Sequence, residues 1–123
     1  MTSADMLRTS ANLVRNRAEE RREADPLAQL LVQLIARIGE PATVERAVSR
    51  PWASALFEGR RHAILLRVAG GSLRARREAL ANELQEAEWT LPGHFVADIV
   101  IDDLRGDAEG EWIELSALTI RDW

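Results

Sequence analysis

A chain of 123 residues, 46% of them hydrophobic, with a formal net charge of −4 has the size of one domain that buries about two-thirds of its unfolded surface. The absence of cysteine excludes a disulfide framework, a CxxC redox pair, a thiolate metal site and a cysteine nucleophile. All sixteen basic residues are Arg, with no Lys and no Tyr, the codon bias expected of a GC-rich bacterial genome, and an acidic pI of about 5.2 points away from nucleic acid.

The opening "MTSADMLRTSANL" lacks the basic start and apolar core of a signal peptide. The longest apolar run, "LLVQLIARI", is broken by Gln33 and Arg37. The expectation is a cytoplasmic protein with no membrane span. Residues 4 to 24 carry Ala4, Leu7, Ala11, Val14 and Ala18 at helical spacing, a thin stripe that predicts an N-terminal helical arm over 1–24. The compact domain is expected over 25–123. Its first helix begins at Asp25-Pro26, where the acid can cap and the proline loses no intrahelical bond. Leu27, Leu30, Leu31, Leu34, Ile35 and Ile38 form its apolar face, and Gly39 and Pro41 stop it.

Three strand-like stretches follow: "ATVERAV" (42–48), "WASALFE" (52–58) and "RHAILLRV" (61–68). Pro51 predicts a bend between the first two, and Glu58-Gly59-Arg60 reads as a hairpin connection between the others. Ser72 is a candidate N-cap for a helix to about Ala87, with Leu73, Leu80, Leu84 and Ala87 on one face. Two strands close the chain. The order α-α-β-β-β-α-β-β predicts an α+β fold, an antiparallel sheet of about four to five strands with helices packed on one face. "AGGS" has neither the Walker lysine nor GxGxxG spacing.

On "HFVADIVIDDL" the odd positions Phe95, Ala97, Ile99 and Ile101 are expected to face the core. Matching apolar faces sets Ile101 opposite Ile113 and Ile99 opposite Leu115, and leaves Asp103 to Gly110 as a loop. The acids Asp103, Asp107, Glu109 and Glu111 then lie at or beside a solvated tip. Their spacing over 102–111 does not match a calcium loop, and two histidines without cysteine make a poor zinc site. Neither a metal nor a cofactor is expected, and no residue is assigned a catalytic role.

In that register Asp98 faces Ser116. His62, His94, Asp98 and Glu114 are the polar side chains that could line a small-ligand or enzyme pocket between sheet and helices. A triad of Ser54, His62 and Asp98 can be drawn, but no nucleophile elbow supports it. The second sheet face is the stronger signal. Trp52, Leu56, Leu65, Val96, Val100, Trp112, Leu118 and Ile120 are expected there, about half apolar where a solvated face reads polar. Trp52, Leu56, Val100, Trp112 and Leu118 are the candidate interface residues, with Trp89 and Trp123 as further aromatic candidates.

The element order and the acidic pI resemble those of the type III secretion chaperone-like fold. That resemblance implies a small α+β domain that dimerises and binds client segments. It covers the order of elements alone and brings no functional residue with it, and the final helix common in such proteins has no counterpart before Trp123. The leading expectation is a non-enzymatic interaction module that binds itself as a homodimer or binds another protein, without nucleic acid or membrane. A small-ligand binder or enzyme is the alternative.

Overall fold

The computed structural model describes residues 25–39, 41–69 and 73–122. The helix read over 4–24, the Ser72 cap and Trp123 lie outside the described residues. Helix α1 spans Leu27–Ile38. Asp25 Oδ1 accepts a hydrogen bond from the Leu27 N–H at 3.0 Å, which satisfies a donor that the first helical turn leaves without a partner. Leu30, Leu34 and Ile38 recur every four residues and are buried. Gly39, at φ +109°, ends the helix in a conformation that a side chain would resist.

The strands are β1 (Ala42–Ala53), β2 (Glu58–Val68), β3 (His94–Asp107) and β4 (Gly110–Arg121). They form one antiparallel sheet in the order β1-β2-β4-β3. Helix α2, Arg77–Glu86, follows a 3-10 turn at Arg74–Arg76 and connects β2 to β3. Leu80 and Leu84 from α2 join Leu30, Leu34 and Ile38 from α1 in one buried cluster with Leu66 and Leu115. Both helices therefore lie on the same sheet face, and the α+β architecture follows.

The sheet has four strands because two expected segments merge. β1 continues through Pro51, which pairs with Arg60. On an edge strand an outward-facing position loses no ladder bond when its N–H is missing. The turn accordingly moves to 54–57, where the Ser54 N–H donates to Phe57 O at 2.8 Å and the Phe57 N–H donates to Ser54 Oγ at 3.1 Å. Gly59 is no turn residue. It sits within β2, where a Cβ would lie 2.0 Å from Thr119 O.

The last hairpin also departs from expectation. Ile101 pairs with Leu115 and Ile99 with Ala117, and the strands close at Asp107 opposite Gly110. Ala108 and Glu109 alone make the turn, so the loop foreseen over 103–110 is mostly strand. Two bulges in β3, between Val96 and Asp98 and between Ile101 and Asp103, each insert an extra residue and shift the alternation. Val96 consequently packs against the core cluster, while Phe95 turns to the other face, 43% exposed. Ala97, also foreseen in the core, is exposed. Asp98 pairs with Leu118, and Ser116 pairs with Val100.

The acids of this hairpin separate into distinct roles. Asp107 Oδ1 accepts from the Glu109 N–H at 2.7 Å and shapes the turn. Asp103 lies within β3 opposite Glu114. Glu111, foreseen at the solvated tip, is 4% exposed. It accepts from the Leu73 N–H at 2.8 Å and the Arg74 N–H at 2.9 Å, and so caps the segment that leads into α2. Three further bonds fasten the helices. Gln33 exchanges two hydrogen bonds with the Thr90 backbone, and Arg76 donates to Ile38 O at 2.6 Å.

Candidate interaction face

The four polar residues considered for a pocket lie on opposite sides of the sheet. Strand parity places His62 and His94 on the helix-bearing face and Asp98 and Glu114 on the other. His62 is 2% exposed and sits between two hydroxyls, with Nδ1 2.6 Å from Ser49 Oγ and Nε2 2.8 Å from Thr119 Oγ1. Thr119 donates onward to Arg60 O, so its oxygen accepts from an Nε2–H, and in the neutral ring that burial favours Nδ1 is left to accept from Ser49 Oγ. Burial pushes the His62 pKa below its ordinary value against the opposing pull of Asp25, and the charges of Arg60 and His94 push the same way. His94 Nδ1 approaches Pro92 O at 3.0 Å.

Ser54 serves its own turn, and Asp98 is on the far side of the sheet from His62. The hollows beside α2 and beside Trp112 are lined by none of the four polar residues. Among the described residues no group of three or more His, Asp or Glu side chains is placed to hold a metal ion. No described helix is long and apolar enough to cross a membrane.

The face away from the helices carries five levels of side chains, read across β1, β2, β4 and β3. The first is Thr43, Arg67, Trp112 and Arg105; the second is Arg46, Leu65, Glu114 and Asp103. Val48, Ala63, Ser116 and Val100 make the third, and Arg50, Arg61, Leu118 and Asp98 the fourth. Trp52, Gly59, Ile120 and Phe95 make the fifth. Val48, Phe95 and Val100 are 45%, 43% and 37% exposed, and Leu65, Trp112 and Leu118 are partly exposed. No described element covers them.

The polar side chains of this face are organised by local pairs. Arg105 donates to Asp103 at 2.8 Å and to Glu114 at 3.1 Å, and these hydrogen bonds raise its pKa. Ser116 Oγ donates to Asp102 at the second bulge. The Arg67 guanidinium lies 5.2 Å from the Trp112 ring centre on the neighbouring strand, an attraction of about 0.5–1 kcal/mol where exposed.

Trp52, Val100, Trp112 and Leu118, expected at an interface, all belong to this face. Leu56 projects from the turn at 54–57 and is 82% exposed, and Trp89 instead packs beside Arg37 of α1 at 5.1 Å. Sequence reasoning missed Val48, Phe95, Arg46 and Arg50. The signal for three of them was present, because Arg46, Val48, Arg50 and Trp52 alternate once β1 is allowed to run through Pro51. Phe95 carried no such signal, since only a bulge brings it there. Neither protein-family models nor curated proteins nor solved structures give a match to this chain.

Proposed function

We propose that this chain is a non-enzymatic protein-interaction module that binds through its open sheet face. The observation that carries the reading is the one-sided placement of the described helices, which leaves tryptophan, phenylalanine and aliphatic side chains from four strands in contact with solvent. Contiguous exposed apolar surface of this kind marks association sites on soluble proteins. Its aromatic and arginine content is that of interface centres. The polar residues weighed for a ligand pocket give a catalytic reading less support, since His62 is spent on two hydroxyl contacts and Glu114 on Arg105.

A photo-crosslinking residue at Ala63, exposed at the third level, tests the reading in the full-length protein. The expected result is a discrete covalent product, identified by mass spectrometry, that disappears when Leu118→Asp is added. The same residue placed at Glu83, on the exposed side of α2, should give none. Equal labelling at both positions, or none at Ala63, overturns the proposal.

A further inference from the structure

The charges on the open face are divided between its two halves. At the paired positions β1 and β2 contribute Arg46, Arg50, Arg61 and Arg67, whereas β4 and β3 contribute Glu114, Asp98 and Asp103, with Arg105 clasped between Asp103 and Glu114, and the bulge residues Glu45 of β1 and Asp102 of β3 are both acidic. We infer that the occupant of this face is a second copy of the chain, related by a two-fold axis nearly parallel to the strands.

Symmetry makes the argument specific. Such an axis, passing over the line between β2 and β4, sets β1 of one copy over β3 of the other and β2 over β4, each residue keeping its level along the strands. Arg46 then opposes Asp103 of the second copy, and Arg50 opposes Asp98. Val48 meets Val100, and Trp52 meets Phe95. At the centre the small side chains of Ala63 and Ser116 oppose each other, which lets the sheets approach. The self-complementarity that a two-fold contact requires is therefore present in charge and size between the outer strands, while between the inner strands Leu65 falls opposite Glu114 and Arg61 opposite Leu118.

An axis across the strands is excluded by the same pattern. It would set β1 over β1 and exchange the second level with the fourth, placing Arg46 over Arg50 and Asp103 over Asp98. Four strands spaced ~4.8 Å apart and five levels ~6.8 Å apart give a footprint of roughly 650 Å² per copy. The two together clear the roughly 1,000 Å² expected of a specific interface. The chain's own residues 1–24 suit this face less well, because their charges, as in "RNRAEERRE", are interleaved where those of the face are segregated.

This inference rests on the open face being an interaction surface, and the experiment separates the two. Light scattering of the full-length chain over a dilution series should give twice the 13.8 kDa chain mass, falling toward one chain on dilution. Arg50→Glu and Asp98→Arg, both at exposed positions, should each weaken the dimer by roughly tenfold or more, since like charges placed opposite each other cost over 1.4 kcal/mol. An equimolar mixture of the two variants should recover wild-type affinity, because both contacts of the mixed dimer again pair opposite charges. Misfolding of either variant would abolish that recovery, so a chain carrying both reversals provides a second route, and it should dimerise by itself.

A wild-type monomer at all concentrations overturns the inference, as do variants that dimerise like wild type, or a failure of both the mixture and the double-reversal chain to dimerise more tightly than the single variants. If the Ala63 crosslinker captures a different protein, or residues 1–24 of its own chain, the second copy is not the occupant. The first of those outcomes leaves the interaction-module reading standing. The absence of any product at Ala63 removes both.

Discussion

His62 shows how a residue with an obvious chemical reading acquires a structural one. A histidine between two hydroxyls, in a site where burial lowers its pKa, is neutral in the folded protein near pH 7. The unfolded chain, with an ordinary value of about 6.5, binds the proton more readily. The stabilisation is fully present above that value and is lost as pH falls through it toward the lower folded-state pKa. The melting temperature should therefore decline from pH 7.5 to pH 5, and His62→Gln should flatten that slope even if it lowers stability at neutral pH. Gly59 makes the complementary case. Its sequence context suggested a turn, yet its role comes from the close passage of the Thr119 carbonyl. Gly59→Ala forces β2 and β4 apart, and a shift in the urea midpoint equivalent to about 1–3 kcal/mol is expected. Both residues stood out in the sequence, but both roles depend on Thr119, about sixty positions away.

At the scale of elements, local pattern succeeded where one segment decides its own fate. Asp25, Pro26, the four-residue recurrence of Leu30, Leu34 and Ile38, and Gly39 are all local signals, and α1 begins and ends where they place it. The strands were harder. Pro51 argued for a break, but its cost depends on whether β1 is an edge strand, and that is a property of the sheet. The bulges of β3 reversed the faces of Phe95 and Val96, because alternation counts residues and a bulge breaks the count. Glu111 belongs to this scale too, since a carboxylate in β4 caps the approach to α2. Glu111→Ala should lower stability by about 1–3 kcal/mol by leaving buried N–H donors without an acceptor, and Glu111→Gln should recover part of the loss. Hydrogen exchange at the amides of Leu73 and Arg74 would locate the effect, and unchanged protection there would contradict the capping role.

For the whole molecule, the two sheet faces should respond differently to substitution. Leu34→Ala, at a site with no exposed surface, is expected to cost about 2–5 kcal/mol in chemical denaturation. Leu118→Asp on the open face should leave the stability of the isolated chain within about 0.5 kcal/mol while abolishing association by light scattering. A large loss of stability in a monomeric Leu118→Asp chain would mean that the face is covered from within. The sequence by itself determined the α+β class, the amphipathic first helix and the presence of a second apolar face, because periodicity and composition are properties of short stretches. Only the tertiary structure decided which residues occupy that face and how its charges are divided. Strand order, edge position and bulges are set by pairing between distant segments, and it is the order β1-β2-β4-β3 that sets Arg46, Arg50, Arg61 and Arg67 on one half of the face and Asp98, Asp103 and Glu114 on the other.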